Sequence, residues 1–402
     1  MDKKNKNSNV PNLRFSNPYK LRKVRLGDIC TITGGYAFDS HKMKQQGEYQ
    51  IIKMGNLYNG IFDLSRNQSF INAPTKKELE YLIQKNDILI TLTGTTNKKD
   101  YGYTVQIKKP KKLLLNQRCA LIRASKVNEK YLFYLLNSND FLKQFYASST
   151  GGTGNQTNVS INDMLDFKVY ISNENDQLKI SNILNALDKK ISTQIKIIEL
   201  KQSLIKDIED KLLWKSASTY SRHISDFLTE LNDKSKIQNQ YPLLSSTKKG
   251  LFLQTDYFNK EAASSNNIGY KIVHEGDIII SPQNLWMGNI TYNDKFVNGL
   301  VSPSYRIYKV KEEYNAYYIS RILMSYRALS LYKNISEQGA SIVRRNLNVD
   351  AFNELCFPIP NIKKQDEVSL FLSKLHQELN SEIEILRQLK NQKKYLLCNM
   401  FI

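Results

Sequence analysis

An apolar stripe with coiled-coil spacing occurs twice in this chain. From Ile180 the positions Ile180, Leu184, Leu187, Ile191, Gln194, Ile198, Lys201, Ile205, Ile208 and Leu212 step by alternating fours and threes, and eight of the ten are apolar. From Val368 the same steps pass through Leu372, Leu375, Leu379, Glu382, Leu386, Leu389, Lys393, Leu396 and Met400, again with eight apolar. This is the seam of a coiled coil. A lone amphipathic helix of this length cannot shield its stripe from water, so each copy is the natural partner of the other. An antiparallel intramolecular pair is expected, with Ile180 to Leu212 spanning about 50 Å at roughly 1.5 Å per residue. Such a rod would place one globule at each end, about the separation of duplex half-sites one turn or slightly more apart.

A short strand and a polar turn precede each stripe, "FKVYISNENDQLKISNIL" from Phe167 and "FPIPNIKKQDEVSLFL" from Phe357. At an offset of 188 residues Gly151 meets Gly339, Asn158 meets Asn346, Ile171 meets Ile359, Asn173 meets Asn361 and Gln177 meets Gln365. Pro358 and Pro360 lack amide donors, which puts their strand at an edge. In the first copy Ser172 or Asn173 can cap the helix, with Glu174 and Asp176 at its positive end. Upstream, "NDILITLTG" at Asn86 answers "GDIIISPQN" at Gly276, and "VRLGDI" at Val24 answers "RHISDF" at Arg222.

Between these landmarks, "YQIIKM", "DILITLTG", "YTVQI" and "CALIRA" read as strands in the first half, as do "YKIVHEGDIIIS", "NITYN" and "SYRIYKV" in the second. One helix is expected over "NEKYLFYLLNSNDFLKQFYAS" and one over "EEYNAYYISRILMSYRALSLY". The fold class is therefore α+β: two tandem α/β recognition globules alternating with two long helices, a pseudo-twofold internal repeat. The expected boundaries are a basic arm at 1–25, globules at 26–155 and 216–343, and helical regions at 156–215 and 344–402.

Charge narrows the function. The 402 residues carry 58 Lys plus Arg against 38 Asp plus Glu, a net +20 that suits a polyanionic partner such as double-stranded DNA. Eight of those cations fall in the first 25 residues against the single acid Asp2, which reads as a mobile basic arm. No apolar run suggests a leader or a membrane span, so a cytoplasmic protein is expected. The four cysteines and four histidines are scattered, so neither disulfides nor a metal site is expected. GxxxxGK[ST], HExxH and FxGxG motifs are all missing from the sequence. "NPY" at Asn17 lies in the basic arm, and Glu209 and Lys211 lie in the heptad helix, where solvated charge is the plainer account.

Candidate DNA contacts concentrate in loops that differ between the halves. "TNKKDYGY" offers Lys98, Lys99, Tyr101 and Tyr103, and "SPQNLWMGN" offers Gln283, Asn284, Trp286 and Asn289. Amide side chains can pair with adenine edges and aromatic rings can stack on bases, although Trp286 suits a core position equally well. Arg118, Gln156 in "TGGTGNQTN", and Arg306 complete the set with Arg344 and Arg345 of "GASIVRRN". The last two fit phosphate contact, guanine readout or plain surface charge.

In the order and duplication of these motifs, the chain resembles the specificity subunits of Type I restriction-modification systems. The carriers are "GDI" after a basic-aromatic lead-in, "NDILITLTGT", "NQRCALIR", "TGGTGNQTNVSINDM", "GDIII", "VSPSYRIYK" and "FPIPNIKKQDEV". The first junction, "VYISNEND", departs from the family's Pro-rich form. The resemblance implies a non-catalytic DNA-reading subunit with a bipartite asymmetric target. It implies two modification subunits bound through the helices, and motor-nuclease subunits bound through them. S-adenosylmethionine, ATP and Mg would then belong to the partners, with no cofactor on this chain. The competing readings are a freestanding tandem-domain nucleic-acid-binding protein or regulator, and a structural adaptor.

Overall fold

The computed structural model describes residues 13–15, 21–151, 155–215, 219–248, 250–257, 266–338 and 345–401. The chain divides into two units that are interleaved in sequence, Met1–Ile195 with Ile385–Ile402, and Lys196–Glu384. Both cuts fall inside long helices, Glu174–Trp214 and Ile362–Met400. Each globule therefore packs with half of both helices, whereas a linear division of the chain assigns one whole helix to each.

In the first unit a four-stranded antiparallel sheet has the order Cys30–Gly34, Cys119–Ala124, Ile88–Thr91, Thr104–Gln106. In the second unit Leu228–Leu231, Arg306–Val310, Ile278–Ile280 and Ile290–Tyr292 take the same order. The repeat is thus plainer in topology than in residue identity. The smaller sheets differ: the first unit has a three-stranded sheet in which Tyr49–Ile52 runs parallel to Leu113–Leu115, and the second has separate antiparallel pairs, Leu244–Thr247 with Gly250–Leu253 and Lys271–His274 with Asn298–Val301.

Two expectations change. The apolar segment after the sheet is two helices in each unit, Glu129–Leu135 and Asn139–Ala147, then Ala316–Leu323 and Tyr326–Asn334. Ser138 and Ser325 cause the break, because each hydroxyl accepts from a backbone N–H three residues on and so starts a new helix. The basic arm also ends earlier than its charge suggests. Arg22–Arg25 is a strand paired antiparallel with Lys168–Ile171, and Leu13 donates to the Asn399 carbonyl. Thr219–His223 pairs with Cys356–Pro360 in the same manner, so both junction strands, including the one with two prolines, lie in two-stranded ribbons.

At each junction one hydrogen-bond pattern recurs. Asn173 and Asn361 cap the long helices, their Oδ1 atoms accepting from Asp176 N and Lys364 N. Gln177, 3% exposed, donates to the Ser172 carbonyl and accepts from Asn128 N. Gln365, 1% exposed, donates to the Pro360 carbonyl and accepts from Asn315 N. Ser181 and Ser369 donate to the Oδ1 atoms of Asn128 and Asn315. Asn128 and Asn315 are themselves N-caps of the first globule helices. Each buried glutamine thus ties a strand end, a globule helix and a spacer helix together.

Within each unit the helix halves run antiparallel. In the first, Ile180 and Leu184 share a core with Met400 and Phe401, and Asp188 pairs with Lys393 at 2.6 Å. In the second, Leu213 shares a core with Val368 and Leu372, and Lys201 meets Glu382 at 2.9 Å. Leu187, Ile198 and Ile205 are also buried, while Ile191, Leu375, Leu379, Leu386, Leu389 and Leu396 are half-buried. At the end of the first helix the seam shifts: Leu213 is fully buried while Leu212 and Ile208 are half-buried. A straight helix of 3.6 residues per turn drifts against a 3.5 repeat, and here the globule core receives the displaced side chain.

His376 lies in the second unit beneath this packing. Its Nδ1 is 2.9 Å from the Leu372 carbonyl and 3.2 Å from Tyr317 Oη, and its Nε2 is 3.6 Å from Glu209. Glu209 is already held by Arg321 at 2.8 and 2.6 Å. Burial first, and then the Arg321 charge, pull the imidazole below its ordinary 6.5 despite the pull of Glu209 in the other direction. The folded chain therefore keeps His376 neutral where the unfolded chain takes up a proton. That stability is present above about pH 6.5 and is lost as pH falls through the depressed folded value. A melting temperature that falls on acidification below about pH 6.5, with a shallower fall in His376→Gln, is expected; equal slopes would refute the assignment.

Candidate nucleic-acid interface

In the first unit Tyr103, Arg118 and Gln156 come together in one cleft of about 290 Å³ that Tyr58, Thr93 and Asp100 also line. Arg118 and Gln156 also line an adjoining cleft of about 410 Å³ with Gln117 and Asn158. The two meet because Gln156–Asn158 pairs with Thr93–Thr95, the segment that continues the central strand. Arg118 has φ +71°, in the left-handed region that costs a non-glycine residue about 1–2 kcal/mol. This conformation lets its carbonyl accept from Leu92 N at 2.9 Å. Its guanidinium has no acidic partner among the described residues, unlike Arg123, which Asp87 holds at 2.8 Å.

Tyr58 is a residue that sequence reasoning missed. It is 54% exposed, its ring lies edge-on 5.7 Å from Tyr103, and Arg66 sits 5.7 Å above it. An aromatic within the turn "MGNLYNG" was the available signal. Lys98 and Lys99 are exposed on the neighbouring turn, with Lys99 5.2 Å from the Tyr146 ring. Tyr101 departs from expectation, being 4% exposed and packed on Phe145 and Tyr146. Gly94 makes room for its ring, since a Cβ there would lie 2.3 Å from it. Tyr101 is core and has no face to offer a base.

In the second unit the Arg345 guanidinium carbon lies 4.7 Å from the centre of the Trp286 ring, and Arg345 N donates to the Gln283 carbonyl at 3.3 Å. Gln283 is exposed, and Trp286, half-buried, is neither wholly core nor free surface. Asn289 Oδ1 accepts from Ser246 and its backbone N–H donates to the Asn284 carbonyl, so these two asparagines mainly shape the turn. Arg306 lines a separate cleft of about 540 Å³ with Lys271 and Tyr305, and Glu230 holds it at 2.5 Å. That pairing spends much of its charge. Arg344 lies outside the described residues.

Residues 18–202 match a family described as the Type I restriction modification DNA specificity domain. This part of the chain is similar to such a specificity domain. No curated protein sequence matches the chain. Over nearly its whole length the fold is similar to the crystal structure of the Type-I restriction-modification system S subunit from M. genitalium. The TM-score is 0.59 at 15% identity, covering 98% of this chain and 99% of that one. A chain from a structure titled for complex assembly and conformational transition of the type I R-M system gives 0.55 at 13%, covering 96% and 98%.

The matched segment contains the cleft of Tyr103, Arg118 and Gln156, together with the first clamp around Gln177. The second unit repeats its sheet order and its clamp. Among the described residues, no helix is long and apolar enough to cross a membrane.

Proposed function

We propose that the chain is the DNA sequence-recognition subunit of a Type I restriction-modification complex, with each unit reading one half of a bipartite asymmetric target. The duplicated junction carries this reading. The same glutamine, asparagine and serine hydrogen bonds recur 187 or 188 residues apart, while the loops they support differ. A scaffold kept alike beneath unlike surfaces suits two readers of different sequences.

On this reading the helices serve as spacer and as the seat of two modification subunits, with the motor-nuclease subunits recruited through those. Exposed Leu178, Leu200, Leu204, Leu370 and Phe371 support a helical surface that takes a partner. Adenine methylation with S-adenosylmethionine and ATP- and Mg-dependent cleavage would belong to the partners. The net +20 supports a polyanionic target, whose binding should weaken steeply with salt.

Co-expression with a Type I modification subunit, followed by mapping of methylated adenines, tests the proposal. Two half-sites separated by a constant number of base pairs are expected. A single contiguous site, or methylation independent of this chain, would contradict it.

A further inference from the structure

We propose that Arg345, seated on the indole of Trp286, is the guanine-reading group of the second unit; this rests on the DNA-recognition reading above. Four other arginines show the alternative, a cation taken up by a carboxylate. Arg306, Arg321 and Arg327 in the second unit pair with Glu230, Glu209 and Asp210, and Arg123 in the first pairs with Asp87. Arg345 has no acidic partner among the described residues, and its charge faces a ring instead of a carboxylate.

Stacking also fixes orientation. The guanidinium carbon lies 4.7 Å from the ring centre, and the backbone of Arg345 is tied to the turn carrying Trp286 by its bond to the Gln283 carbonyl. The turn is closed by Gly288 at φ +87°, a conformation that side chains resist, and a Cβ there would meet Leu329 at 3.7 Å. Arg345 Nε and Trp286 Nε1 are both buried with no hydrogen-bond partner, and among the described residues no hydrogen bond takes up the terminal nitrogens of Arg345. The available edge is therefore the two-nitrogen fork. Guanine offers that fork two adjacent acceptors, O6 and N7, whereas adenine places a donor beside N7. A phosphate also accepts such a fork, so the loss of preference for one base is what distinguishes guanine readout from backbone contact.

The test uses the full chain co-expressed with its modification subunit and a randomised duplex library read out by adenine methylation. Arg345→Lys and Arg345→Ala are compared with the unaltered chain, and thermal melts confirm that Arg345→Lys remains folded. In both variants the preference for guanine at one position of one half-site is expected to fall about 10- to 100-fold, with the other half-site unchanged. Lysine should not rescue it, because an ammonium cannot form the fork. A uniform loss at all sites with a salt slope smaller by about one would make Arg345 a phosphate anchor and overturn the assignment. Unchanged specificity, or no G·C pair in the affected half-site, would overturn it equally. If the unaltered complex marks no fixed sequence, the recognition reading fails first and takes this assignment with it.

Discussion

Gln365→Ala is expected to destabilise the protein by about 2–5 kcal/mol, although it removes one polar side chain and no apolar contact of note. The reason is what it leaves behind. Asn315 N and the Pro360 carbonyl, now paired with the glutamine at 2.9 and 2.8 Å, would lose their partners at a site where Gln365 itself is 1% exposed. Each buried group stranded in this way costs about 1–3 kcal/mol. Urea titration measures the loss, and amide exchange locates it: the Asn315 N–H should exchange faster in the variant. Gln177→Ala should do the same to the Asn128 N–H, since the bonds there are 3.0 and 2.8 Å. A loss no greater than that of an exposed glutamine such as Gln283→Ala would show that the clamp holds nothing.

Phe357→Ala should cost about 3–5 kcal/mol, the usual range for deleting a buried aromatic ring. Phe357 is 1% exposed on the second junction strand, 5.5 Å from the Trp214 ring at the end of the spacer helix and 6.2 Å from Phe227 of the globule. One ring therefore links the three parts that the junction joins. Val169, 2% exposed and 188 residues earlier, holds the matching place in the first unit with a smaller side chain. Val169→Ala should cost roughly 2 kcal/mol, from about 0.8 per buried methyl and a small void. Denaturant midpoints at unchanged slope test both values. A loss under about 1 kcal/mol for Phe357→Ala would remove the ring from the core.

Much of the scaffold was legible because its signals are local. The heptad stripes give Glu174–Trp214 and Ile362–Met400, and the β-branched runs give the sheet strands. The helix break at Ser138 and Ser325 was missed although a serine cap was visible in each sequence, since unbroken apolar spacing outweighed a single capping residue. The clamp partners Asn128 and Asn315 were likewise present as caps one residue before a helix. What joined them to the glutamines was tertiary. The candidate DNA contacts were less legible: Tyr101 proved to be core, Arg306 was taken up by Glu230, and Tyr58 was overlooked. Tyr101 and Tyr103 stand two residues apart in one loop, and only packing distinguishes a ring over Gly94 from a ring in the cleft.

The sequence by itself determined that the chain is a duplicated globule-and-helix unit with a basic charge balance that suits a polyanionic partner, because periodicity, capping and charge balance are properties of neighbours along the chain. Tertiary structure alone decided which polar seam residues meet, Lys201 with Glu382 and Asp188 with Lys393, and which cations remain open. The physical reason is that an arginine is open to an anionic ligand only if no distant carboxylate reaches it first. Glu230 stands 76 residues from Arg306, and Trp286 stands 59 from Arg345, separations over which no local pattern carries information.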